Sequence, residues 1–141
     1  MTDRIATSKD WTTLPMPEKH DEFSFRRHFT EEQMTLLKKG FIPEEMEDKW
    51  FWYFEDNRLH IYRSWTGFCI YIVSFEEDDL LRVCANRNPE QYRETDAEKD
   101  MKKLNDLLSW WSHSDYDPYA HFISDTLTLL RNAGLADKKN G

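Results

Sequence analysis

The sequence predicts a single α+β domain: a short N-terminal helix, a four-stranded antiparallel meander, and two C-terminal helices packed on one face. Apolar residues between Lys49 and Arg87 follow the period of strands, and they recur at helical spacing on both sides of that region. At 141 residues, the chain has the length of one ordinary domain. We divide it into an extended N-terminal arm over 1–22, the domain over 23–135 and a disordered tail over 136–141.

The first predicted helix begins at a capping box. Thr30 is followed three residues later by Gln33, and the helix then carries Met34 and Leu37 before Gly40, a residue type that often ends helices. The residues of the arm are polar, include two prolines and show no clear period, so we expect them to be extended.

Four strands are predicted between polar breaks in the central region, and they form an antiparallel meander. The strands span roughly 49–54, 58–65, 68–75 and 80–85. Neither face of these strands is cleanly polar. We therefore expect one face to be covered by helices and the other to carry an amphipathic groove.

Two helices are predicted after the strands. Thr95 and Glu98 suggest a second capping box for a helix over 96–112, and an Asp-Pro pair begins a helix over 118–133. The apolar stripes of both helices need a common surface to bury, so we expect them on the same face of the sheet. The residues predicted to be buried in this core are Ile70, Leu104, Leu108, Phe122 and Leu127.

Charge and composition limit the classes of partner. The formal net charge is −8, which repels nucleic acid and anionic membrane surfaces. The sequence has no apolar run of membrane-spanning length and no signal-peptide pattern, so a cytoplasmic protein is predicted. Cys69 and Cys84 lie in apolar strand-like segments, where free cysteines are usually buried, so neither a metal site nor a disulfide is predicted. No cofactor is predicted.

A dense aromatic and basic run between Asp48 and Val73 marks a candidate ligand site. It contains three of the six tryptophans, two arginines and a lysine. Such a surface stacks on planar groups and attracts anions. Hydroxyls, backbone amides and an arginine around the Gly67 turn can hold a phosphate or carboxylate. The predicted ligand-binding residues are His60, Tyr62, Arg63, Ser64, Trp65, Thr66, Asn86 and Arg87.

These residues also have a purely structural interpretation. The turn fits a tight hairpin in which Trp65 packs and Arg63 pairs with an acid such as Glu55. The asparagines around Arg87 can cap a turn instead of binding a ligand. His60 has no partner at an interpretable spacing, so no catalytic residue is predicted. If both the 63–67 turn and the loop around Arg87 bind ligand, they must meet at one end of the sheet.

Three segments carry a resemblance to a known group of proteins. They are Asp-Lys-Trp-Phe at 48–51, Tyr-Arg-Ser-Trp-Thr-Gly-Phe-Cys-Ile-Tyr at 62–71 and Asn-Arg-Asn-Pro-Glu-Gln-Tyr at 86–92. This pattern, over about 48–93, resembles small uncharacterised bacterial proteins associated with ADP-ribose-processing neighbours such as macrodomains and ADP-ribosylglycohydrolases. The resemblance implies a nucleotide-like ligand and transfers no catalytic residue. The chain lacks the Gly-rich phosphate loop of a macrodomain and the paired acidic metal motifs of an ADP-ribosylglycohydrolase.

Two classes of function follow from these observations. The first is a non-catalytic module that binds a nucleotide-like or ADP-ribose-like small molecule. The alternative is an acidic protein-interaction module of immunity or antitoxin type, whose charge speeds the capture of a basic protein. An enzyme ranks third, because no nucleophile–base pair, metal set or cofactor loop can be assembled from the spacing.

Overall fold

The structure, a computed structural model, describes residues 5–113 and contains one five-stranded antiparallel sheet and two α-helices. The class is α+β, as predicted. In the part of the chain that the structure describes, neither helix has the length and apolar character needed to cross a bilayer. The strands are β1 (His20–Arg26), β2 (Trp50–Glu55), β3 (Arg58–Arg63), β4 (Cys69–Phe75) and β5 (Leu80–Asn86), and the helices are α1 (Glu31–Lys39) and α2 (Ala97–Trp111).

The predicted count of four strands is wrong, because β1 adds a fifth strand beside the meander. The strand order is β1-β5-β4-β3-β2, and β1 pairs antiparallel with β5 along its whole length. Only Phe23 and Phe25 interrupt an otherwise polar sequence in β1, so its own pattern gave a weak strand signal. The predicted boundary between the arm and the domain, after residue 22, falls inside this strand.

The beginnings of the helices follow from local hydrogen bonds. The predicted capping box of α1 is confirmed, since the Thr30 side chain accepts from the Gln33 backbone and the Gln33 side chain accepts from the Thr30 backbone. In α2 the N-cap is Asp96 rather than Thr95, and its carboxylate accepts from the backbone N–H of Glu98. The helix therefore begins one residue later than predicted.

One face of the sheet packs against the helices and forms the main core. The Trp111 ring of α2 stacks on Trp52 of β2 with 3.8 Å between ring centroids. Ile70, Leu104 and Leu108 are fully buried, as predicted. The predicted helix over 118–133, with Phe122 and Leu127, and the tail over 136–141 lie outside the described residues.

The opposite face of the sheet is covered by the arm that precedes β1. The Trp11 ring stacks on Phe51 at 6.0 Å, and the Leu14 backbone N–H donates to the Gly67 carbonyl at 2.8 Å. The predicted groove on this face is therefore partly filled by the protein's own chain. The buried residues of this second cluster are Ala6, Phe51, Tyr53, Tyr62 and Cys69.

Candidate interaction site at the β3–β4 turn

The loop between β3 and β4 forms one wall of an open concavity, and the arm forms the other. The concavity measures about 420 Å³, within the roughly 300–1,000 Å³ range of small-molecule pockets. Three of the eight predicted ligand-binding residues lie in its lining. We call the lining residues the turn site: Asp10, Trp11, Thr12, Ser64, Trp65, Thr66 and Gly67.

Gly67 allows the arm to approach the turn closely. Its φ of +76° lies in the left-handed region, which L side chains rarely adopt. A Cβ at this position would stand 2.5 Å from the carbonyl oxygen of Thr12. The glycine predicted from turn chemistry therefore has a second role, because it provides the space through which the arm passes.

Trp65 is the most unusual residue of the turn site. Its side chain is 66% exposed, although its indole N–H already donates to the Met46 carbonyl oxygen at 2.9 Å. Met46 is itself 74% exposed. The hydrogen bond fixes one edge of the indole, so a large apolar ring is held in solvent with its polar atom satisfied.

An acidic loop is tied to the turn beside Trp65. The buried Asp48 carboxylate accepts from the backbone N–H groups of Glu44 and Glu45 at 2.8 and 3.1 Å. The backbone carbonyl of Asp48 accepts from the Ser64 hydroxyl at 2.6 Å. Because the side chains of Glu44 and Glu45 are exposed, the loop presents negative charge next to the exposed indole.

The two predicted hydroxyl groups make contacts inside the turn. Ser64 is buried and donates to the acidic loop, and its carbonyl oxygen accepts from the Trp11 indole at 2.9 Å. The Thr66 hydroxyl oxygen accepts from the Phe68 backbone N–H at 3.3 Å. These bonds shape the turn.

Arg63 lies on the helix-covered face of the sheet. Its guanidinium carbon is 4.8 Å from the centroid of the Trp50 ring, which packs against α2. The suggested ion pair with Glu55 does not fit the register, because Arg63 stands opposite Trp50 and Glu55 stands opposite Arg58, at the other end of the hairpin. Arg63 is therefore absent from the lining of the turn site.

His60 and Tyr62 belong to the arm-covered face. The His60 ring stacks on Tyr53 with 4.6 Å between centroids, and burial lowers the pKa of His60. Tyr62 is buried, with its hydroxyl 3.3 Å from that of Tyr53, and burial raises the pKa of Tyr62. Neither side chain lines the turn site.

Asn86, the last residue of β5, and Arg87, which follows it, make contacts that belong to the fold. The buried Asn86 amide donates to the Cys69 carbonyl at 2.8 Å. The Arg87 guanidinium donates to Asp21 of β1 at 2.8 Å and to Asp100 of α2 at 2.5 Å. Neither Arg87 nor Arg63, which lies over the Trp50 ring, is part of the turn site lining that contains Trp65.

Asp100, which was not predicted from the sequence as a functional residue, organises this polar cluster. Its Oδ1 accepts from the hydroxyls of Tyr71 and Tyr92 at 2.6 and 2.7 Å, while its other oxygen accepts from Arg87. Asp100 is fully buried. A signal was present in the sequence, since Asp100 precedes Leu104 by four residues in the apolar stripe of α2 and so faces the core.

The arm residues of the turn site were also missed. Asp10, Trp11 and Thr12 lie in a segment with no period, in which Trp11 and Leu14 are the only apparent anchors in the sequence. The acidic loop gave no signal in the sequence beyond its charge.

Comparison with protein-family models, with curated proteins and with solved structures gave no match. The fold and site define a small α+β protein with an exposed aromatic and acidic surface.

Proposed function

We propose that this chain is an acidic protein-interaction module of immunity or antitoxin type, which binds a basic protein segment at the turn site. The exposed indole of Trp65 is the observation that carries the proposal. Buried aromatic side chains dominate the binding energy of many protein interfaces, and Trp is among the most enriched. In this structure Trp65 is 66% exposed, so its ring is accessible to a partner.

The geometry of Trp65 favours binding because the ring is ordered before a partner arrives. Its bond to the Met46 carbonyl restricts the indole. Immobilising a side chain on binding costs about 0.5–1.5 kcal/mol, so a restricted ring loses less free energy on association. The exposed Met46 side chain beside it adds an adaptable apolar contact.

The charge around the ring determines the kind of partner. Asp10 lies in the lining, and the exposed Glu44 and Glu45 stand on the adjoining loop. Among the described residues that line the turn site, none is an arginine or a lysine. A lysine or arginine of the partner gains a cation–π contact with the indole as well as carboxylate neighbours.

A nucleotide-like or ADP-ribose-like small molecule is the second candidate. The volume of the concavity, about 420 Å³, suits such a ligand, and a base can stack on the Trp65 ring. This candidate is less well supported, because the described lining offers a carboxylate and no cation to a phosphate. It shares Trp65 with the first candidate, so one set of variants tests both.

We place the module in the cytoplasm. Cys69 and Cys84 are unpaired in the structure. Reduced cysteines are typical of proteins in the reducing compartments of cells.

The test measures binding of a lysine-rich peptide that contains one apolar residue, followed through the indole N–H signals in NMR spectra. We expect Trp65→Ala to weaken binding at least about tenfold, since aromatic hot spots contribute about 2 kcal/mol or more. Glu44→Gln with Glu45→Gln should also weaken it. The charge-matched control, Glu76→Gln with Glu77→Gln, lies at the opposite end of the sheet and should bind normally.

Equal peptide affinity of the wild type and Trp65→Ala would overturn the proposal. The same variants are then titrated with AMP and ADP-ribose. Binding of either nucleotide that depends on Trp65, without peptide binding, would establish the second candidate in place of the first.

A further inference from the structure

Three side chains of types that can ligate a metal lie together on the arm-covered side of the sheet, and none of them lines the turn site. Ligand atoms of His20, Glu22 and Cys84 all lie within 4.8 Å of one another. His20 and Glu22 are two residues apart on β1, so they point to the same face, and Glu22 stands directly opposite Cys84 on β5. The pairing of these two strands therefore creates the group.

We infer that His20, Glu22 and Cys84 form a binding site for a divalent transition metal ion of the zinc class. Imidazole, carboxylate and thiolate are the three ligand types that zinc takes in proteins. The thiolate and imidazole select against magnesium and calcium, which take oxygen ligands. No cofactor or metal was predicted from the sequence, because the strand that carries two of the three ligands was not recognised.

The distances suit a tetrahedral ion after a small adjustment. With bonds of about 2.0–2.3 Å to nitrogen, oxygen and sulfur, ligand atoms around zinc lie roughly 3.3–3.8 Å apart. The three atoms here lie within 4.8 Å of one another. Side-chain rotations that move these atoms by about 1 Å bring them to the separations found around zinc. His20 and Glu22 are exposed and can make these rotations, while Cys84 is half-buried on a central strand.

The surroundings of His20 support its role as a ligand. Its Nδ1 lies 2.9 Å from the Pro17 carbonyl oxygen. A carbonyl only accepts hydrogen bonds, so Nδ1 carries the proton and Nε2 keeps its lone pair for a metal. Metal-binding histidines almost always donate their second nitrogen to a carbonyl or carboxylate in this way.

Three protein ligands leave a fourth position on the ion. Structural zinc sites usually have four protein ligands, whereas sites with three retain a position for water or for a group from another molecule. On binding, the Cys84 thiol loses its proton to solvent and the sulfur bonds to the ion. The ion also joins β1 to β5, so it holds the edge strand to the meander.

The test is a titration of the untagged full chain with Co²⁺, followed by displacement with Zn²⁺. We expect one Co²⁺ per chain and a thiolate-to-cobalt charge-transfer band in the near ultraviolet, which Zn²⁺ abolishes. Cys84→Ser should remove that band. His20→Gln should weaken binding by more than the roughly 10–100-fold effect of changing a second-shell residue.

Matched controls exist for both ligand types. Cys69→Ser removes the other cysteine, and His28→Gln removes another exposed histidine. Both variants should bind Co²⁺ as the wild type does. Absence of the thiolate band in the wild type, or its survival in Cys84→Ser, would overturn the inference. If Cys84→Ser fails to fold, the exposed His20 decides, since unchanged affinity in His20→Gln overturns the inference equally.

Discussion

At the scale of single residues, the buried carboxylate of Asp100 has the largest predicted effect on stability. It receives hydrogen bonds from Tyr71, Tyr92 and Arg87 and is fully buried. Without Asp100, Arg87 keeps only the exposed Asp21 carboxylate as its partner, and removing one partner of a buried ion pair costs about 3–5 kcal/mol. We expect Asp100→Ala to lower the free energy of unfolding by about this amount, measured by urea denaturation.

Asp106→Ala is the control for this prediction. Asp106 lies on the same helix but is exposed, and surface substitutions usually change stability by less than about 0.5 kcal/mol. If Asp100→Ala cost no more than Asp106→Ala, the polar cluster would add nothing to the stability of the fold. The Tyr71 and Tyr92 hydroxyls would then have found other acceptors.

At the scale of elements, the arm acts as a layer of the fold although residues 5–19, the part described before β1, form neither helix nor strand. Trp11 packs on Phe51 and its indole donates to the Ser64 carbonyl. Because Trp11 is only partly buried, we expect Trp11→Ala to lower the free energy of unfolding by about 1–3 kcal/mol. Replacing a fully buried aromatic residue with alanine lowers it by roughly 3–5 kcal/mol. Thermal unfolding measures the difference.

Leu14→Ala provides the comparison within the same arm. Leu14 is 44% exposed, and its backbone N–H, which alanine retains, donates to the Gly67 carbonyl in the β3–β4 turn. The free energy of unfolding of Leu14→Ala should match that of the wild type within about 0.5 kcal/mol. If Trp11→Ala lost no more stability than Leu14→Ala, the indole would contribute nothing and the backbone contacts alone would hold the arm.

The elements that the sequence predicts well are those decided by neighbours in the chain. The capping box of α1 and the β2–β3 turn at Asp56 and Asn57, both with positive φ, depend on residues within a few positions. β1 depends instead on pairing with β5, which lies some sixty residues later. Its sequence is mostly polar, and only Phe23 and Phe25 are partly buried, so its assignment needed the partner strand.

At the scale of the whole molecule, the candidate site could be predicted only where it is built from the turn. Ser64, Trp65 and Thr66 line the turn site because turn chemistry is local. Arg63 and Arg87 do not line it. Strand alternation places Arg63 over the Trp50 ring, and Arg87 donates to the Asp100 carboxylate. The arm completes the concavity through contacts that no local pattern in the sequence indicates.

The net charge of −8 gives a last prediction about the whole molecule. It rests on the proposed binding of a basic segment. Long-range attraction accelerates the encounter of opposite charges, and salt screens it. Between ionic strengths of about 0.1 M and 1 M, the Debye length falls from about 10 Å to about 3 Å. We expect the association rate constant for the lysine-rich peptide to fall at least about tenfold over that range.

The dissociation rate should change much less, because salt screens the close contacts of the bound complex less than it screens long-range attraction. Stopped-flow tryptophan fluorescence separates the two rates. The Glu44→Gln, Glu45→Gln variant should associate more slowly at low salt and respond less to added salt than the wild type. A salt effect confined to dissociation would contradict this account, because the acidic surface would then act within the bound complex and not during encounter.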